Sequence, residues 1–414
     1  MSTPDYQQAL GRKIAAERRR RGLSQPELAQ MIDRSVAWVS QVERGVRRVD
    51  RMSVLETLAA ALDVPLAVLA AEAPVVAAVT EEPPGAGGLR LVLSGAYALR
   101  AMLGTHRPPA ISTLRTKARR AWELTHAGRY TELADLLRGL VPDLETAARA
   151  VPEDQRAEVF ELMAGTYQAC SAALAKLGEP DAAWIAADRA MAAAERAGNP
   201  MLVAAGAFRL VFVSIAARHY NQAEETARTA ADALRPMADE GSQQAMSLWG
   251  GLTLQRAAIA ARVNDPDTAY SHLERARQIA GRLGEGRNDY NTEFGPANVA
   301  LYEIAVAVEL GDAGRALRAA ATVDTTGLSA ERRARMLIDV ARAHAQRRQI
   351  HEAVAALREA EEITPEQVRS HELVRRLVSD LLTMQDPPAS ELRGLAGRLT
   401  APPRPPPPTS SPRP

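Results

Sequence analysis

Six polar turns recur between residues 128 and 353, and each leads straight into an apolar residue. They read GRYTEL (128–133), GEPDAA (178–183), HYNQAE (219–224), NDPDTA (264–269), GDAGRA (311–316) and RQIHEA (348–353). Aligned on Leu133, the matching positions are Ala182, Ala223, Ala269, Ala316 and Ala353, at intervals of 49, 41, 46, 47 and 37 residues. A unit of that length, helical on both sides of a short turn, is a helical hairpin. It cannot bury its apolar face alone and must stack on its neighbours. Between the turns the chain is rich in alanine, as in AAWIAADRAMAAAERAG (182–198), which lets helix backbones approach closely. The expected fold is therefore all-α, with an α-solenoid of stacked hairpins over 112–400 that presents a concave face. The first helix of each hairpin should line that face. Its polar and aromatic residues Tyr167, Arg209, Gln255, Arg256, Asn298 and Tyr302 are candidates for holding a ligand. Asn298 stands out, because an amide both donates and accepts. The carboxylates of the repeats read as solvated helix faces with i,i+4 partners.

Residues 24–45, SQPELAQMIDRSVAWVSQVERG, have a different pattern. Leu28, Ala29, Ile32, Val39 and Val42 fall where two short crossed helices bury them against each other. Ser24 with Glu27 three residues on forms a capping box for the first of these helices, and Ser35 caps the second. A preceding helix over 7–21 places Leu10, Ile14 and Ala15 on one side and stops at Gly22. A fourth helix spans 52–62, and a fifth spans 66–71 after a break at Asp63, Val64 and Pro65. The second helix of the central pair leaves Val36, Ala37, Trp38, Ser40 and Gln41 pointing outward. A helix that packs by one edge and offers the other suits a B-DNA major groove.

GLSQPELAQ, SVAWVSQVERG and the closing LAAALDVPLAVL together resemble the phage repressor and Cro type of helix-turn-helix domain, the XRE family, over roughly residues 7–72. One departure is Asp33, which stands where that family usually has Gly in the turn. The resemblance implies that Gln25, Ser35, Ser40, Arg44, Arg47 and Arg48 meet phosphates. It implies that Val36, Ala37 and Gln41 face base edges, and that Trp38 lies over a sugar or a thymine methyl. Arg18 and Glu43 match a buried ion pair that ties the first helix to the third. The repeats resemble the tetratricopeptide-like sensor domains fused to such heads in bacterial regulators, and NTEFGPANVALYEIAVAVELGDAGRAL (291–317) resembles a segment of the actinobacterial members. What this implies is a sequence-specific transcriptional regulator. It would bind an inverted-repeat operator in double-stranded DNA as a homodimer and sense a peptide, a small molecule or a protein partner through its solenoid. The alternative is a DNA-tethered scaffold that docks a protein.

Composition sharpens this reading. The net charge of the 414 residues is only +1. Yet between Arg12 and Arg51 eleven Arg or Lys face five Asp or Glu, a local excess suited to a phosphate backbone. The lone cysteine, Cys170, reads as a small core residue, and the seven histidines are scattered. No metal, no cofactor and no catalytic chemistry is expected, for there is no Gly-rich phosphate loop and no GxSxG. The apolar runs are too short to span a bilayer, so a cytoplasmic, nucleoid-associated protein is expected. The domain reading is a head over 1–72 and a linker over 73–111 with one helix at 89–103. The solenoid follows over 112–400, and a disordered Pro-rich tail ends the chain at 401–414.

Overall fold

The computed structural model of the chain describes residues 3–47, 49, 52–64, 69, 83–103, 107–384 and 389–400. The expected fifth head helix (apart from Leu69), residues 73–82 and 104–106 of the linker, Arg48 and the Pro-rich tail lie outside the described residues. The chain divides into two compact units, Met1–Glu81 and Glu82–Pro414.

Among its described residues the first unit holds α1 (Thr3–Arg20), α2 (Gln25–Met31), α3 (Val36–Glu43) and α4 (Met52–Leu62). Leu10, Ile14, Leu28, Val39, Val42, Leu58 and Leu62 form its core. The α2 capping box closes in both directions. Ser24 Oγ accepts from the Glu27 amide at 3.3 Å, and Glu27 Oε2 accepts from the Ser24 amide at 2.7 Å. Asp33 takes the left-handed conformation its turn requires, with φ 51°. The closest helix crossing is at a residue the pattern did not flag. A Cβ added to Gly11 in α1 would stand 2.3 Å from the Val42 carbonyl oxygen of α3, so only glycine lets the two helices meet there.

The second unit starts with α5 (Ala86–Val92) and α6 (Ala96–Leu103). One helix was expected over 89–103; the chain instead bends at Leu93, Ser94 and Gly95, where Ser94 Oγ accepts from the Ala96 amide at 3.3 Å. A hydroxyl that serves as a local acceptor competes with helix continuation. Six hairpins follow: α7 (Ile111–His126) with α8 (Tyr130–Ala150), α9 (Glu153–Lys176) with α10 (Pro180–Ala197), and α11 (Pro200–Ala216) with α12 (Tyr220–Asp239). Then come α13 (Gln243–Arg262) with α14 (Pro266–Leu283), α15 (Pro296–Glu309) with α16 (Ala313–Ala320), and α17 (Ala330–Gln346) with α18 (Ile350–Ile363). Three helices complete the unit: α19 (Pro365–Ser370), α20 (Glu372–Met384) and α21 (Ser390–Thr400). Between α19 and α20 the helix is broken at His371, whose backbone is extended (φ −75°, ψ 116°). Among the described residues no helix is long and apolar enough to cross a membrane.

The six turns share one geometry. Gly128, Gly178, Arg218, Asn264, Gly311 and Arg348 all have φ between 59° and 81°. In each, the next amide bonds the carbonyl five residues back, from Arg129 N to Leu124 O (3.0 Å) through to Gln349 N to His344 O (2.9 Å). This is the Schellman ending of a helix, and it satisfies a carbonyl that would otherwise be orphaned. Five residues past the left-handed position lie Leu133, Ala183, Ala223, Ala269, Ala316 and Ala353, all fully buried. The equivalent of Leu133 in the second hairpin is therefore Ala183, not Ala182, and the repeat intervals become 50, 40, 46, 47 and 37 residues.

The array closes on itself. The turn after α7 packs against α19, so that a Cβ on Gly128 would meet Thr364 Cγ2 at 2.8 Å. The Thr131 amide donates to Glu366 Oε2 at 2.9 Å, and Lys176 at the end of α9 pairs with Glu331 of α17 at 3.0 Å. The expected open concave face is instead filled from within. The loop over 284–295 is part of that filling. Tyr290, Asn291 and Glu293 all have positive φ, and Phe294 lies against Gly250, where even a methyl group would overlap its ring.

Candidate nucleic-acid interface

α3 is held by one edge. Val39 and Val42 are buried, whereas Ser35, Val36 (44% exposed), Ala37, Arg44 and Arg47 are exposed. Ser35 Oγ accepts from the Trp38 amide at 3.1 Å and so defines where the helix begins. Ser40 and Gln41 are partly exposed on the same helix. Trp38 is half-buried against the head core, with the Arg34 guanidinium 5.9 Å from its ring centroid. Its indole is thus part packing and part surface. The Arg44 Nε–H donates back to the Ser40 carbonyl at 3.2 Å, which holds the side chain along the end of α3.

The Arg18–Glu43 pair is bidentate. Arg18 Nε and Nη2 donate to the two Glu43 carboxylate oxygens at 2.6 and 3.0 Å, and Arg18 Nη1 donates to the Leu23 carbonyl at 2.7 Å. Gln25 Nε2 also donates to Glu43, at 2.8 Å. Burial alone would push the Glu43 carboxyl up, but the Arg18 and Gln25 hydrogen bonds hold it below its usual range. One carboxylate therefore locks the start of α2 and the end of α3 to α1. It also fixes the Gln25 amide at the N-terminus of α2, with its oxygen and second N–H still available. The signal for this network lay in the Arg18 and Glu43 positions. No spacing rule flagged Gly11, because the need for a missing Cβ comes from a helix far away in sequence.

With the head described, its class follows: a two-helix unit that buries one edge of α3 and exposes the other, with Arg44 and Arg47 just past its end, is a helix-turn-helix domain. Residues 9–71 match the family of helix-turn-helix domains. No curated protein and no solved structure matches the chain. The chain thus carries the head of a DNA-binding regulator, followed by an all-α array.

The residues expected to line the array's concave face are located differently. Tyr167, Arg209, Gln255, Asn298 and Tyr302 are between 1% and 7% exposed. Arg209 lies between the Trp122 and Phe208 rings, 4.7 and 4.9 Å from their centroids, and Nη2 donates to the Tyr290 and Asn291 carbonyls at 3.1 and 2.8 Å. It thereby holds the strained loop. Gln255 Nε2 donates to the Phe208 carbonyl at 3.0 Å, and Arg256 pairs with Glu224 on α12. Arg335 lies 5.3 Å over the Tyr302 ring. Arg209, Gln255 and Arg256 thus bind the array to itself, whereas the buried Asn298 Oδ1 has no hydrogen-bond partner among the described residues.

The carboxylates also depart from the solvated reading. Glu331 is 1% exposed and Arg332 is 7% exposed. Burial would raise the Glu331 carboxyl, but Lys176, Arg332 and Arg335 hold it down to about 2. Burial pulls the Lys176 ammonium down against the opposing pull of Glu331. Arg332 Nε donates to Glu293 Oε2 and Nη2 donates to the Thr292 carbonyl. His126 lies 3.8 Å from Glu293; burial, reinforced by Lys176 and Arg209, takes its imidazole down to about 4. Cys170 is fully buried, and burial pushes its thiol up to about 12, so it is a core residue without thiolate character. Among the described residues no three His, Cys, Asp or Glu side chains gather as a metal site.

Proposed function

We propose that the chain is a sequence-specific transcriptional regulator of the repressor and Cro (XRE) type, whose tetratricopeptide-like array dimerises and senses a signal in the bacterial cytoplasm. The observation that carries this reading is α3, fixed at its base by the Arg18–Glu43–Gln25 network and exposed along Ser35, Val36 and Ala37. In the proposed complex α3 enters the major groove. Val36 and Ala37 contact thymine methyls, and Gln41 bonds adenine in a bidentate way. Gln25, Ser35, Ser40, Arg44, Arg47 and Arg48 take phosphates, and Trp38 covers a sugar or a thymine methyl. Two heads in a homodimer would read half-sites one helical turn apart, roughly 34 Å, or a multiple of that. Each head alone would bind weakly, and pairing would strengthen binding by raising the effective concentration of the second head.

The filled interior of the array bears on what is sensed. Among the described residues the inner side of the array carries buried side chains and the loop over 284–295. A small ligand in a discrete cavity is therefore favoured over a scaffold that docks a protein along the concave face. Genome-wide occupancy of the wild-type protein, compared with the Gln41→Ala, Arg44→Ala double variant, tests the proposal. Sharp sites that share an inverted repeat and disappear in the variant are expected; occupancy that is indifferent to the double substitution would refute it.

A further inference from the structure

A cavity of about 290 Å³ lies where α8, α9 and α10 meet the bend between α5 and α6. Three guanidinium groups line it, Arg149, Arg189 and Arg196, against one carboxylate, Glu145. Arg149 is committed to Glu145 at 2.8 Å, and the Tyr167 hydroxyl donates to the same carboxylate at 3.4 Å. The other two arginines are held by rings. Arg196 stacks on Phe160 at 4.1 Å from the centroid, and Arg189 lies over Tyr167 at 5.8 Å. Among the described residues neither forms an ion pair with a carboxylate, which contrasts with the many arginines of the array that do. A ring face positions a guanidinium without using its N–H donors. The cavity is thus left with a surplus of two positive charges, Arg189 bonded, among the described residues, only to the Tyr167 hydroxyl and Arg196 free of carboxylates, above an apolar floor of Phe160 and Met163.

We propose that this cavity binds a small phosphate monoester, with its dianion on Arg189 and Arg196 and its organic part on Phe160 and Met163. Three features select this class. The surplus of two positive charges matches a dianion. A guanidinium fork fits phosphate oxygens in pairs. The volume is at the small end for ligand pockets, which excludes a peptide or a nucleic acid chain. Ser94 and Gly95 form part of the wall, so a ligand here touches the bend that begins the array, just after the segment that follows the head. This deepens the sensing reading given above: the site stands on its own geometry, and only its consequence for DNA rests on that reading.

The test uses the full chain and phenyl phosphate as probe, with inorganic phosphate and phenol beside it, in isothermal titration. Saturable binding of phenyl phosphate is expected, tighter than either fragment, and weakened about tenfold or more in Arg196→Gln and in Arg189→Gln. Arg196 is exposed, so its replacement leaves the fold intact and decides the matter if the Arg189 variant fails to fold. Absence of saturable binding, equal affinity in the Arg196 variant, or phenol binding as tightly as phenyl phosphate would overturn the proposal. DNA affinity is then measured with and without the probe. A change supports the link to sensing; bound probe with unchanged DNA affinity would leave the anion site standing and refute its sensing role.

Discussion

The head and the array solve the same problem of close helix packing in opposite ways. The head meets it at one point, where Gly11 gives α1 and α3 a crossing no other residue allows. The array meets it everywhere, with alanine. The seven buried residues of α10 are Ala182, Ala183, Ala186, Ala187, Ala190, Ala193 and Ala194. Their polar residues differ in the same sense. The head pulls the Arg18–Glu43 pair inside and leaves Arg44 and Arg47, just past α3, in solvent. The array turns Lys176, Arg209, Glu293, Glu331 and Arg332 inward and uses them to tie α9, α11 and the loop before α15 to one another and to α17. An exposed polar residue held by a rigid base is available to a partner, and a buried one is already part of the structure. On that criterion Arg209, Gln255 and Arg256 are engaged within the array, and the surface of α3 is the one available to a partner.

The largest effect expected from this contrast is in the array. Glu331→Ala leaves Lys176 without its buried counter-ion, while Arg332 keeps Glu293, and should cost the array about 3–5 kcal/mol in denaturant unfolding, with the head transition unmoved. An array transition within error of wild type would mean that the closure is not a stabilising contact. Acid acts on the same interior. His126 and His371 are each lowered to about 4, chiefly by burial, from an ordinary 6.5. The neutral ring is thus favoured in the folded state. Its contribution is complete above pH 6.5 and is lost as pH falls from 6.5 towards 4, at most about 3 kcal/mol per histidine. Array stability recorded between pH 7 and pH 4 should fall steeply, and His371→Asn should flatten the fall; a curve with the same slope in that variant would rule this origin out.

A smaller cost, about 2 kcal/mol, is expected for Gly11→Ala, this time in the head alone, because the new methyl overlaps the Val42 carbonyl. Circular dichroism melts that shift both units, or neither, would break the contrast. The mildest change is Arg47→Ala. It should weaken binding to all duplexes alike, by about 1 kcal/mol, and reduce the salt dependence of DNA affinity by about one ion, as expected for a single phosphate contact. A loss confined to one sequence would instead make Arg47 a base reader.

Local order was legible in the sequence, and long-range order was not. The Ser24 and Glu27 box, the Asp33 turn and the six hairpin turns are all set by residues within a few positions of one another, and each adopts the geometry its residues favour. The bend at Ser94 and Gly95 escaped because the apolar spacing of Leu91 and Met102 runs across it, although both side chains are exposed. Ring closure escaped for a different reason. Thr131 and Glu366 are 235 residues apart, and no periodicity relates them. Glu331 and Arg332 therefore read as surface charges, because their partners come from α9 and from the loop before α15. Gly11 escaped in the same way, since its neighbour is the backbone of α3.

The central claim is that the exposed edge of α3 reads DNA while the array does not. Selection from random-sequence duplex DNA tests it most directly, using the full chain in parallel with its Gln41→Ala, Arg44→Ala variant at one fixed salt concentration. The account predicts that the wild type enriches a single motif with two-fold symmetry, its half-sites about one helical turn apart, and that the variant enriches none. The same motif enriched equally by both proteins would contradict it.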